Sequence, residues 1–313
     1  MSEPGVGFEY PEIEVSWLKR DLLLFANSIG CKADELHFLY ELHPGFTAFP
    51  TYPIILPFKH TDKDVIDFYA RSNAIPIPGV PKFDSKRVVD GERKIEFRRK
   101  LPVDSVGKKF FIKSKVLGVY DKGKPGTVVE TEQTLVERVG HNDIIYTRAV
   151  GSGFYVGQGG WGGPKGPKTV NYPPPEGRAA DTTYVHPTNP ESALLYRLNG
   201  DYNPLHATPE PGQKMGFGGA IMHGLFSWNT TAHGILQTLG DSDPANLKEF
   251  QARFASPVKP GDVLVTEIWK VGKAQGYGDG WEEVRFITKV KGGKVCLSNG
   301  RAIVKITNPK SKL

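Results

Sequence analysis

The most regular hydrophobic pattern in the chain runs from Ile221 to Leu239. Apolar residues at 221, 222, 225, 226, 228, 232, 235, 236 and 239 keep the 3.6-residue period of a buried helix. This helix is predicted to begin at His223-Gly224 and to stop at Gly240, a residue suited to a C-terminal cap. A second helical pattern, through Val15, Leu18, Leu22, Leu23, Phe25, Ala26 and Ile29, occupies residues 10–30 and is closed by Gly30. Residues 45–58 mix aromatics with three prolines and read as extended structure lining something apolar. Thr61 predicts a cap for a short helix over residues 62–71 with an acidic first turn, ended by Pro76 and Pro78.

From residue 84 the period changes to two. Segments 86–102, 108–120, 126–138 and 143–156, rich in Val, Ile, Phe, Thr and Tyr and bounded by turns, predict an antiparallel sheet. Residues 157–178 are dense in Gly and Pro and predict a linker. A strand-like stretch and a short helix follow over 181–197, and strands are predicted again near 247–255, 262–272, 280–290 and 294–306. The two halves echo each other. Phe97-Arg98-Arg99-Lys100-Leu101-Pro102-Val103 is answered by Ala252-Arg253-Phe254-Ala255-Ser256-Pro257-Val258, an offset of 155, and each is followed by a glycine turn and a β-rich run. A helix followed by four strands, given twice, is the layout of an internal duplication. Two such halves could pack sheet to sheet as a pseudo-dimer and bury their edge strands. The first half's candidate central helix, 62–74, is shorter and more charged than the second's, 223–239.

Composition narrows the picture. The 313 residues allow one large domain or two of about 150. No apolar run reaches the length of a membrane span, and the first residues lack the layout of a signal peptide. The two cysteines, Cys31 and Cys296, imply no disulfide framework and fit a reducing compartment. The net charge of +6 comes from scattered Lys and Arg with no recognisable nucleic-acid motif, so nucleic acid is not an expected partner. Gly157, Gly159 and Gly162 satisfy G-x-G-x-x-G, but Pro164 and Pro167 forbid the helix that would receive a pyrophosphate. The triplet Asn229-Thr230-Thr231 falls inside the apolar helix and is set aside as a glycosylation site. The sequence closes on Ser311-Lys312-Leu313, the receptor-read peroxisomal address.

The candidate chemistry lies just before the long helix. Asp201, Asn203 and His206 fall within six positions, and Pro204 pushes Asn203 toward an extended backbone. Asp and His are the side chains most used for proton transfer near neutral pH, and Asn offers both a donor and an acceptor. Gly224 opens the helix, where free N–H groups face outward and a glycine lets a carbonyl approach. His223 and His233 read as packed or capping groups, and His37, His43, His60, His141 and His186 show no ligand spacing.

The string G-D-x-N-P-L-H over residues 200–206, followed by a Gly-rich link and H-G-L on a long helix, resembles the MaoC-like, R-specific enoyl-CoA hydratase 2 family without a gap. That resemblance spans nearly the whole chain and implies an α+β double hot-dog fold, with a long central helix in the C-terminal repeat and a shortened one in the N-terminal repeat. The implied division is 1–156 for acyl-chain accommodation, 157–178 as linker and 179–313 as the catalytic repeat. The implied reaction is reversible hydration of a trans-2-enoyl-CoA to a (3R)-3-hydroxyacyl-CoA in peroxisomal fatty acid β-oxidation, with neither metal nor cofactor required. Asp201 and His206 would jointly activate water and deliver the proton, Asn203 would position, and the Gly224 N–H would meet the oxyanion. Phe49, Tyr52, Gly200 and His223 are expected to contact substrate. Glu41, in an F-x-Y-E match, is expected in a supporting role. Expected partners are the acyl-CoA, the import receptor and a second copy in a homodimer, in the peroxisomal matrix. No dehydrogenase domain is present, so the chain would act separately or belong to a longer polypeptide. The alternatives are an acyl-CoA thioesterase on the same fold and a non-enzymatic lipid- or CoA-binding module.

Overall fold

The computed structural model describes residues 3–71 and 75–307, and Ser311-Lys312-Leu313 lies outside them. Ten strands form a single antiparallel sheet. They are β1 (Ile13–Val15), β2 (Val88–Phe97), β3 (Phe110–Asp121), β4 (Gly126–Val139), β5 (Asn142–Val156), β6 (Thr182–Pro187), β7 (Leu247–Phe254), β8 (Val263–Lys273), β9 (Trp281–Val290) and β10 (Val295–Lys305). Their order across the sheet is β1-β3-β4-β5-β2-β7-β10-β9-β8-β6. Read from either edge, the sequence of counterparts is the same. The seam pairs β2 with β7, and Ile95 stands opposite Phe250. These two residues differ by the same 155 positions as the sequence echo, so each faces its own counterpart and a pseudo-two-fold axis passes between them. The halves therefore join edge to edge rather than sheet to sheet, because the free N–H and C=O groups of β2 and β7 satisfy one another there.

One long helix lies below the second half, and the helical pieces of the first half are short. In chain order the helices of the whole chain are α1 (Lys19–Ser28), α2 (Leu36–Leu39), a 3₁₀ turn (Tyr52–Ile55) running into α3 (Leu56–Lys59), α4 (Ser192–Tyr196), α5 (Pro209–Lys214) and the long α6 (Gly224–Leu239). Helix α6 is buried around its whole circumference, packing on β6, β7, β8 and β10. Its polar residues find partners there: Thr231 bonds Thr288 at 2.9 Å, and the Asn229 amide donates to the Tyr196 hydroxyl at 2.9 Å. No helix among the described residues is long and apolar enough to cross a membrane.

The expected helix over 62–71 is absent; only a 3₁₀ turn, Phe68–Arg71, forms there. Its acidic start has no apolar face to bury, with Val65 51% and Tyr69 66% exposed, and short helices draw their stability from such burial. The first half is instead filled by residues 46–56, all buried, which read as extended in the sequence. Pro53 and Pro57 fall in the first turns of the 3₁₀ segment and of α3, where a missing N–H costs nothing, so the prolines start turns rather than break them. Pro209 likewise starts α5 inside the Gly-rich link.

Residues 157–178 carry no strand or helix, and they are pinned. The Asp121 carboxylate accepts N–H bonds from Gly123, Gly160 and Gly162 at 2.7–2.8 Å. Farther along, Tyr172 lies beneath the guanidinium groups of Arg285 and Arg301.

Candidate active site

The loop between α4 and α5 is shaped by its own sequence. Gly200 sits at φ 119°, and a Cβ there would fall 2.7 Å from the backbone N and Cα of Lys59. The glycine expected to touch substrate is thus required by a close backbone approach between the halves. Asn203 holds an extended ψ of 121° ahead of Pro204, and its Oδ1 accepts the Leu205 N–H at 3.0 Å, capping a 3₁₀ turn over Pro204–His206. Asp201 Oδ1 accepts the Asn203 N–H at 3.2 Å. The turn delivers His206 to the start of α6, where its Nδ1 donates to the Ile221 carbonyl at 2.9 Å, while the Ile221 N–H donates to Leu205. A carbonyl only accepts, so Nδ1 carries the proton and the lone pair of neutral His206 is on Nε2.

Asp201, His206 and His223 converge: a carboxylate oxygen and one nitrogen from each ring lie within 4.8 Å of one another. Burial raises the Asp201 carboxyl above its ordinary value, and His206 opposes that rise. Burial lowers His206, and Asp201 opposes the fall. Burial thus disfavours the charged form of each group, and the charge of the other opposes that in both. Beside them Gly224 is the exposed residue of an otherwise buried helix start. Its N–H has no intrahelical acceptor, and a Cβ would come within 3.1 Å of the Phe254 ring.

Other expected site residues lie elsewhere. Phe49 and Tyr52 are 1% and 0% exposed and pack in the core against Phe25, Phe38 and Trp17. Glu41 is exposed in the turn after α2. The carboxylate buried nearby is Glu35, at the start of α2, and no periodicity or motif singled it out. It accepts from His233 Nε2 at 2.8 Å, Ser242 Oγ at 2.5 Å and the Lys32 N–H at 2.6 Å. Burial alone would raise Glu35, but His233 and these donors bring it below the usual carboxylate value. A cavity of about 230 Å³ opens between Trp17, Asp21, Lys59 and Ser105. It adjoins the loop only through the backbone of Lys59 behind Gly200.

A ten-stranded sheet of two repeats, one cradling a long helix and the other short helical turns, with acid, imidazole and helix N-terminus at one loop, places the chain in the class of MaoC-like hydro-lyases. Two family models divide it: the MFE-2 hydratase 2 N-terminal domain matches residues 16–157 and the MaoC like domain matches residues 172–291. The chain belongs to the MaoC-like hydratase 2 family. A probable dehydratase, NIT22, of Ajellomyces capsulatus is 53% identical over 95% of this chain and 81% of its own. A probable enoyl-CoA hydratase 2 of Dictyostelium discoideum is 33% identical over 93% and 92%. The solved MaoC-like dehydratase of Phytophthora capsici is 32% identical, covers 96% of this chain and 97% of its own, and superposes with a TM-score of 0.81.

Proposed function

We propose that this enzyme adds water reversibly across the double bond of a trans-2-enoyl-CoA to give the (3R)-3-hydroxyacyl-CoA. The observation carrying this reading is the convergence of Asp201 and His206 beside the exposed start of α6. Water lies between the Asp201 carboxylate and the His206 Nε2 lone pair, and the pair takes one of its protons as the oxygen bonds to C3. The electron pair of the C2–C3 double bond moves onto the thioester oxygen, which the Gly224 N–H meets. The captured proton then goes to C2, so both parts of one water end on the product. Because Asn203 Oδ1 is bound to Leu205, its positioning role falls to the amide NH₂. Names within the family support acyl-thioester hydration, and the loop favours it over thioester cleavage.

The remaining parts of the reading follow from that reaction. The first half, with its short 52–59 turn in place of a full helix, accommodates the acyl chain. The seam between that turn and Ile95, Ile112 and Ala149 encloses only about 10 Å³, so long chains displace the turn. A homodimer and a place in peroxisomal β-oxidation belong to the same proposal. Ser311-Lys312-Leu313 supports the location, as does a relative from Arabidopsis thaliana named enoyl-CoA hydratase 2, peroxisomal. Removing the tripeptide should send a fluorescent fusion to the cytosol; a fusion still in peroxisomes would refute that route. The reaction itself is tested on crotonyl- to hexadecenoyl-CoA with chiral analysis of product. Loss of enoyl absorbance without free thiol is expected, and it should vanish in Asp201→Asn and His206→Gln. Thiol release, or an S product, would overturn the proposal.

A further inference from the structure

His223 is the last residue before α6 and is 2% exposed, yet its side chain makes no capping bond to the helix. Its Nε2 donates to the main-chain carbonyl of Asp201 at 3.0 Å. The acceptor is again a carbonyl, so Nε2 carries the proton and Nδ1 holds the lone pair, which is buried without a partner among the described residues. Its ring stacks on that of His206, with centroids 3.7 Å apart at 27°, and also meets Tyr196 at 5.0 Å. Tyr196 is in turn anchored by the Asn229 amide from within α6. A leucine or phenylalanine would fill the same space without stranding a buried acceptor, which is costly. Packing therefore does not account for an imidazole here.

The contacts of Asp201 explain it. The carboxylate is held by the Asn203 N–H and the carbonyl of the same residue by His223, so the backbone between them has little freedom to turn. The His206 ring is fixed on one edge by Ile221 and across one face by His223. We propose that His223 is a positioning residue for the hydration reaction: one N–H and one ring face lock both members of the Asp201–His206 pair against the helix start that receives the oxyanion. This inference rests on the catalytic reading of that pair. Because the working atom is Nε2, it predicts which substitution rescues and which does not.

The experiment compares His223→Gln, His223→Asn and His223→Phe in the full chain with crotonyl-CoA. Gln can place an amide N–H near the position of Nε2, Asn places its amide near Nδ1, and Phe keeps a ring without a donor. Displacing reacting groups by about 1 Å costs on the order of 10²-fold. Phe and Asn are therefore expected to lose roughly 10- to 100-fold in kcat with KM changed less than about 3-fold, while Gln stays within about 5-fold of the parent. Better rescue by Asn than by Gln would make Nδ1 the working atom and overturn the proposal. Unchanged kcat in all three, or losses that simply follow the melting temperature, would overturn it as well. Should the Phe variant not fold, the Gln and Asn pair alone decides. Asp201→Asn and His206→Gln are measured alongside. If those two retain turnover, the catalytic reading has failed; if they lose it while the His223 variants do not, only this inference has.

Discussion

Replacing Glu35 with alanine removes a buried anion whose partners come from both halves of the molecule. His233 on α6 and Ser242 just beyond it donate to this carboxylate, and Gln237 lies at 3.4 Å. In Glu35→Ala, the His233 Nε2 and the Ser242 hydroxyl lose their acceptor in a site where Glu35 is 2% and His233 0% exposed. Removing one partner of a buried pair typically costs about 3–5 kcal/mol. At roughly 2 °C per kcal/mol for a chain of this size, the melting temperature should fall by about 6–10 °C. Scanning calorimetry at pH 7 measures this, and a cycle with His233→Ala isolates the pair, with an expected coupling of about 1–3 kcal/mol. The folded Glu35 value lies below the ordinary 4.5, so its contribution is present above that value and is lost as pH falls through the folded one. The difference between parent and Glu35→Gln should therefore shrink at acid pH. A melting shift under 2 °C, or a cycle that closes with no coupling, would refute the reasoning that Glu35 fastens the first half to α6.

Other outcomes follow from the loop. Gly200→Ala places a Cβ against the Lys59 backbone at a φ that side chains avoid, so it should cost about 1–3 kcal/mol. It should also lower kcat/KM by on the order of 10²-fold by shifting Asp201; an active variant of unchanged stability would count against the close approach. Asp201 has a folded value raised above that of the unfolded chain, so its charge opposes folding at neutral pH and is harmless below about 3.8. Asp201→Asn should therefore melt higher than the parent at pH 7 while losing turnover, with the gain vanishing toward pH 4; a lower melting point at pH 7 would contradict the sign.

Much of the fold is legible in the sequence because its signals are local. The alternating strands and the periodic run from Ile221 to Leu239 carry their own pattern, and the structure starts α6 at Gly224 and caps it with Gly240. The 155-residue offset between the two Pro-Val pairs recurs at Ile95 and Phe250, but that these residues face each other edge to edge, and not sheet to sheet, comes from the strand pairing. Segment 46–59 was less legible, because prolines read as breaks unless their N–H positions are known to be surplus. The helix over 62–71 failed for the opposite reason, since favourable end residues say nothing about whether a face will be covered. In the site, residues close in sequence, Asp201 to His206, could be read directly. Glu35 could not, because its role depends on a partner 198 positions away. Nor could the packing of Phe49 and Tyr52, since an aromatic has the same signature in a core and in a pocket wall.

The seam at Ile95 and Phe250 carries a consequence for how such a chain can change. In a dimer of identical single repeats every substitution is made twice, so a loop cannot be discarded from one copy and kept in the other. Tying the copies together through β2 and β7 in one polypeptide lifts that obligation, and the partner is never lost by dilution. The half whose helical pieces are short could then be remodelled freely, while its twin kept the long one.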